Sequence, residues 1–422
     1  MKQPSSNLSL LEALSQREQD QKLLSDGQRW WTVAQVIAAA CDKRNQYSQL
    51  LGQAVILSAL NPAEFVIWLC ALDGFVNELI LAADSDLTNL GSFKASGYSL
   101  ITEPNVELKN ITLPQENCAT SWRLLTSGTT AKPKLISHTL KGLSASVTNP
   151  STDYRLRWGL LYQPSRFAGL QVILQALLGN GELVVSNCAV IQQRIANFST
   201  LKVNALSATP SFWRKILMTS DHNRLSLSHI TLGGEIADNA VLNQLSRSFP
   251  RARVRHIYAS TDAGVGFSVN DGKSGFPISF LKEDKLEVRN GMLWMRASSM
   301  LESPMVNTGD LVAIEDERVY FLGREQGVIN VGGNKVFPET VEIKIRQFDE
   351  INDVRVFAKE NPIMGQLVAA DIVPAVAVSD EALFKQQLIA KMRKLLPVHE
   401  VPMLLFLKKE IALSNHAKVA RN

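Results

Sequence analysis

Cysteine and histidine are scarce in this chain: four cysteines (Cys41, Cys70, Cys118, Cys188) and six histidines in 422 residues. The cysteines lie far apart and none has the spacing of a metal-binding pair. That argues against a disulfide framework or a zinc site and fits the thiols of a reduced, cytosolic protein. A strong excess of one charge is missing too. Forty-four Lys+Arg against 40 Asp+Glu leave +4, spread along the chain, which gives no footprint for nucleic acid. The longest apolar run, Phe65 to Val76, contains Asp73 and is too short to span a bilayer. Met1 to Asp20 is polar and lacks the apolar core of a signal peptide. These absences point to the cytoplasm without a membrane span, and leave peripheral contact open. What remains is 45% hydrophobic and 20% charged, the composition of a globular protein long enough for two or three domains.

The patterning is that of an α/β protein. Trp30 to Ala39 has helical spacing, with Trp31, Val33, Val36 and Ile37 apolar. Ala54 to Leu57 reads as a strand. Asn61-Pro62 opens a helix over Ala63 to Leu72, and Leu79 to Ala82 is the next strand. This strand–helix–strand rhythm predicts a parallel, doubly wound sheet. Ile101 to Thr120 is polar and irregular and reads as a connection. Further on, strands at Leu183 to Val185, Asn204 to Ser207, Ile230 to Leu232 and Val254 to Tyr258 alternate with helices at Gly169 to Leu178 and from Pro210. Two of these strands run into small or polar residues, Gly233-Gly234 and Ala259-Ser260-Thr261-Asp262, where open α/β sheets bind ligands. From Lys285 short antiparallel strands take over, and beyond Gly327 a compact α+β unit follows.

One tract stands out, Thr126-Ser127-Gly128-Thr129-Thr130-Ala131-Lys132-Pro133-Lys134. Small residues let backbone N–H groups approach a phosphate, hydroxyls add donors, and lysines add positive charge. By itself the tract is either a polyphosphate cradle or a polar hairpin turn. It is not a Walker loop, whose Gly-Lys-Ser/Thr ending is missing.

Four further clusters follow it: Tyr258 to Asp262, Thr308-Gly309-Asp310, Gly323-Arg324 with Ile329 to Glu339, and Leu413 to Arg421. In this order, the five motifs resemble those of the adenylate-forming superfamily of acyl-CoA synthetases, peptide-synthetase adenylation domains and luciferases. The resemblance runs from about Trp30 to the C-terminus. It implies a large N-terminal domain of doubly wound sheets with a β-subdomain (residues 1–325). A small mobile α+β lid (residues 327–422) would follow, with a hinge near Gln326.

The resemblance also assigns roles. Thr126, Ser127, Gly128, Thr129 and Thr130 would hold the β- and γ-phosphates of ATP, supported by Lys134. Tyr258 would pack near the adenine, Thr261 meet the α-phosphate, and Asp262 hold Mg²⁺. Gly233-Gly234 would line the adenine and acyl pocket, together with Ala259 and Ser260. Asp310 would accept both ribose hydroxyls, with Arg324 beside it. Lys418 would supply the mobile positive charge at the reacting oxygens. Gly332-Gly333 would border the thiol channel. Several positions depart from the family pattern: Ala131, Leu135, Ala259 and Ala417 replace glycine, Asp262 replaces glutamate, Gln326 replaces a charged hinge residue, and Glu235 replaces a small one.

The implied reaction joins a carboxylic acid to ATP as acyl-AMP, releases pyrophosphate, and passes the acyl group to the thiol of CoA. A stand-alone enzyme that loads the phosphopantetheine of a carrier protein is the alternative. A degenerate nucleotide-binding homologue with a regulatory or scaffold role is a third reading. Family members that activate α-amino acids bind the ammonium through an aspartate, and Ala168 stands at that place. An aryl or medium-chain acid is therefore expected. Phe167 is either a pocket wall or core, and Arg166 either a partner for substrate or carrier phosphate or a surface residue.

Overall fold

The structure is a computed structural model. It describes residues 8–58, 61–87, 90–91, 97–102, 105–108, 119–125, 134–148, 155–261, 263–282, 285–296, 305–362 and 364–412. Two sheets with parallel centres form the bulk. In the larger, eight strands are ordered from Gly264–Val269 through Arg253–Ser260, His229–Gly233, Ala205–Ala208, Arg157–Gly159, Glu182–Val184 and Lys22–Ser25 to Trp30–Thr32. Its six inner strands are mutually parallel and the two edge strands antiparallel. The second, six-stranded sheet repeats the design. Ser99–Thr102, Ala54–Ser58, Glu78–Ala82 and Ser121–Leu125 run parallel between antiparallel edges Asn105–Glu107 and Leu135–His138.

One apolar core joins these two sheets. Val55, Leu57, Leu79, Leu81 and Trp122 of one sheet meet Leu183 and Trp158 of the other, with the helices Pro62–Leu72 and Phe167–Leu178 packed among them. The Pro62–Leu72 helix is buried from Phe65 through Leu72, as expected of a helix that is apolar on every side. This accounts for the long apolar run without a membrane. Among the described residues, no helix is long and apolar enough to cross one.

Two smaller antiparallel systems follow. Five strands, ordered Phe276–Pro277, Arg318–Arg324, Met305–Glu315, Met292–Arg296 and Leu286–Arg289, enclose an aromatic core with Phe276 and Phe267. The C-terminal region builds a five-stranded sheet on the long hairpin Ile351–Asn361/Gly365–Pro374, with Leu404–Leu407 added in parallel. The helices Pro338–Ile345 and Glu381–Leu395 pack on this sheet around Val341, Ile345, Leu388 and Met392.

Three local features differ from the sequence expectation. The helix expected from Trp30 starts at Val33, because Thr32 and Gln35 form a reciprocal capping box and Trp30–Thr32 pairs as an edge strand. The segment read as a connection from Ile101 begins inside the strand Ser99–Thr102, which pairs with Asn105–Glu107 and buries Ile101. The strand read as ending at Tyr258 continues to Ser260, held by its antiparallel neighbour Gly264–Val269.

Candidate active site

Asp310 anchors the site. The Thr308-Gly309-Asp310 turn is built locally: the Thr308 hydroxyl donates to the Leu293 carbonyl at 2.7 Å, and the Asp310 N–H donates to Thr308 Oγ1 at 3.2 Å. Asp310 is buried, and its carboxylate has two partners. Arg324, opposite it across the strand pair, brings Nε to 3.0 Å from Oδ1. The Tyr258 hydroxyl donates to Oδ2.

Tyr258 comes from the eight-stranded sheet, Asp310 from the five-stranded one. The Tyr258 ring lies between Phe267, stacked at 5.3 Å and 14°, and Phe321, stacked at 5.1 Å and 19°. Two aromatic rings thus pack on Tyr258. Burial, then the Asp310 charge, push its hydroxyl well above the usual phenol range, so it stays a proton donor.

The Gly233-Gly234-Glu235 turn sits at the end of the strand His229–Gly233. The Tyr162 hydroxyl donates to the Gly233 carbonyl at 3.2 Å, which ties the 162–169 segment to this turn. Glu235 has a definable job: its Oε2 accepts the Ser211 N–H at 2.9 Å, in the first turn of the helix Pro210–Leu217. A carboxylate is favoured there by the exposed N–H groups and the helix dipole.

The other residues singled out from the sequence fall as follows. Ser260 Oγ accepts the Ala263 N–H at 3.0 Å and closes the turn that carries Thr261. Ala259, half-buried, pairs with Val265 in the strand ladder. Arg166 is half-buried and paired, with Nη2 2.9 Å from Asp86 Oδ1 and side chains 12% and 9% exposed. Asp86 in turn accepts the Ala83 N–H at 2.8 Å, so this arginine serves as an internal tie. Phe167 begins the helix Phe167–Leu178, packs on the main core, and faces the His138 ring at 6.1 Å. It therefore lies beside the antiparallel pair Ser121–Leu125/Leu135–His138, which flanks residues 126–134 in the sequence. Lys134 is exposed at the start of the return strand. Thr126 to Pro133, Asp262 and Lys418 lie outside the described residues.

Gly332 and Gly333 form the two-residue turn of the hairpin Ile329–Val331/Asn334–Val336, at φ +56° and +90°. Two successive left-handed residues are what such a hairpin turn requires. Gly333 has open space where a Cβ would stand, which suits close approach of a ligand. Gln326 is exposed within the short turn Glu325–Gly327 that joins the two antiparallel systems.

Sequence reasoning did not find Phe267, Phe321, Asp86 or Tyr162 as supports of the site. Phe321, two residues before Gly323-Arg324, was the one signalled by a neighbouring motif.

Comparison with known proteins gives a consistent picture. Residues 90–337 match the family of AMP-binding enzymes. The chain is 25% identical to a D-alanine–D-alanyl carrier protein ligase of Bacillus licheniformis, over 79% of this chain and 78% of that enzyme. It is 23% identical to a 2-succinylbenzoate–CoA ligase of Staphylococcus aureus, over 66% of this chain but only 61% of that enzyme. Its fold superposes on anthranilate CoA ligase AuaEII, solved in complex with anthranoyl-AMP, with a TM-score of 0.76 at 15% identity, covering 98% of this chain and 96% of that one. With more than half its length matched, the chain belongs to the AMP-binding enzyme family.

Proposed function

We propose that this protein is an AMP-forming acid–thiol ligase. It activates an aryl or medium-chain carboxylic acid as acyl-AMP, releases pyrophosphate, and transfers the acyl group to the thiol of CoA. The observation that carries this reading is the buried Asp310 carboxylate, bracketed by Tyr258 and Arg324, within a chain of the AMP-binding family. A carboxylate can accept two hydroxyl donors at once, the requirement for gripping a ribose. Ala168, on the first turn of its helix, offers no carboxylate for an α-ammonium group. Relatives named for succinylbenzoate and a structural neighbour named for anthranilate support an aryl acid.

In this reading Thr126 to Thr130 and Lys134 bind the leaving pyrophosphate, and Gly233-Gly234 with Ala259 and Ser260 face the acyl-adenylate. Thr261 meets the α-phosphate, and Lys418 stabilises charge at the reacting oxygens. Mg²⁺ is held in such sites by one or two carboxylates plus substrate phosphates rather than by a protein cage. Asp262, which follows Thr261 in the sequence, is the carboxylate assigned to the ion by the resemblance, and the ion would screen the phosphates. We infer that residues 327–422 move as a lid about Gln326, bringing first Lys418 and then Gly332-Gly333 to the site. The cytoplasm, which supplies ATP and CoA, is the compartment this chemistry fits.

A second reading has its own support. The relative from Bacillus licheniformis is named for a carrier protein, which supports a carrier's phosphopantetheine as the alternative thiol acceptor. ATP–pyrophosphate exchange across a panel of acids tests the first half-reaction: no exchange with any acid would sink the ligase reading. Thioester formation with CoA or with a holo carrier protein then decides the acceptor.

A further inference from the structure

We propose that Tyr258 is a positioning residue for ribose recognition: its hydroxyl fixes the orientation in which Asp310 presents its carboxylate to ATP. The inference rests on the reading of Asp310 as the ribose acceptor.

Three observations lead to it. First, the bond is a tie between two sheets, since Tyr258 and Asp310 belong to strands that never pair with one another. Second, the ring is held by packing. Phe267, directly opposite Tyr258 in the strand register, stacks on it, and so does Phe321. Phe267 is itself wedged against Phe276 at 4.4 Å and Phe280 at 5.6 Å. The hydroxyl is thus aimed by packing, and burial keeps it protonated. Third, the acceptor count closes. An ionised carboxylate offers about four lone-pair sites, two on each oxygen. Tyr258 takes one on Oδ2 and Arg324 one on Oδ1. One site remains on each oxygen, which matches the two vicinal hydroxyls of a ribose. Without the Tyr258 hydroxyl, the carboxylate would keep Arg324, a partner 62% exposed, and would be less restrained about its terminal torsion, which is a soft one.

Tyr258→Phe tests the inference, because it removes the oxygen and leaves the stack. Calorimetry on the full chain would give dissociation constants for ATP and 2′-deoxyATP, with thermal unfolding followed on the same samples. The wild type should prefer ATP. In Tyr258→Phe that preference should shrink by about ten-fold, the size of one charge-assisted hydrogen bond to the carboxylate, while pyrophosphate binding is unchanged. Phe267→Leu serves as the second variant. It removes one stacking ring but keeps the hydroxyl, and should retain more of the discrimination even at a lower melting temperature. Undiminished discrimination in Tyr258→Phe would overturn the inference and leave the ligase reading intact. Equal affinity of the wild type for ATP and 2′-deoxyATP would instead remove Asp310 as ribose acceptor, and the inference with it.

Discussion

Asp310 and Arg324 face each other across neighbouring antiparallel strands, with Nε 3.0 Å from Oδ1. The pair is lopsided: the arginine side chain is 62% exposed and the carboxylate 12%. An ion pair with one partner in solvent adds at most about 1 kcal/mol to stability. Its purpose is therefore better sought in binding. Arg324→Ala should leave the urea midpoint nearly unmoved yet raise the KM for ATP. Asp310→Asn should reduce kcat/KM for ATP by about 10- to 100-fold, the range for losing charge-assisted hydrogen bonds to the ribose. Steady-state kinetics with ATP varied checks both. Unfolding in step with the kinetic loss would assign the pair to structure.

Lys418 is assigned from the resemblance alone, so its variant separates chemistry from binding. Lys418→Ala should cut ATP–pyrophosphate exchange by about 100-fold or more, as the loss of one preorganised electrostatic contact does. The calorimetric affinity for ATP should stay within about two-fold. Equal losses of binding and exchange would mean that Lys418 grips ATP in its ground state.

Much of this fold is written in local signals. Asn61-Pro62 and Thr209-Pro210 mark helix starts that the structure realises as side-chain caps followed by proline. Gly332-Gly333 marks a hairpin turn. The supports of the site were not legible in the same way. Phe267, Phe276, Phe280 and Phe321 converge from separate segments with no shared period. Arg166 finds Asp86 across 80 residues. The Trp30 region shows the opposite failure: a helix-like spacing overrode the Thr32-x-x-Gln35 capping signal that sets the true boundary. Short-range chemistry fixes where elements begin, whereas tertiary pairing decides which polar groups are spoken for.

The C-terminal sheet carries a buried charge cluster. Arg346 Nε lies 3.1 Å from Asp353 Oδ1, and Nη2 3.5 Å from Glu342 Oε2 and 2.7 Å from the Val354 carbonyl. The two carboxylates also accept backbone N–H groups of Val354 and Val356, both at 2.8 Å. Arg346→Met would leave two carboxylates buried without their cation, a change that costs about 3–5 kcal/mol. Denaturant unfolding should show that loss in the transition reporting this region. A loss below about 1 kcal/mol would mean that water reaches the cluster.

Two histidines are held below their ordinary range and make stability depend on pH on the acid side. Burial, then Arg255 and Arg253, lower His229 from 6.5. Burial also lowers His256 from 6.5, opposed by its contact with the Lys273 carbonyl at 3.1 Å. With folded values below unfolded ones, the unfolded chain takes up protons first. The stability these neutral rings contribute is complete above about pH 6.5 and is lost as the pH falls through that value toward the folded ones. Urea midpoints should therefore decline as the pH falls below about 6.5. His229→Gln/His256→Gln should flatten that decline, whatever its effect near neutrality. Identical slopes in variant and wild type would place the acid sensitivity in other groups.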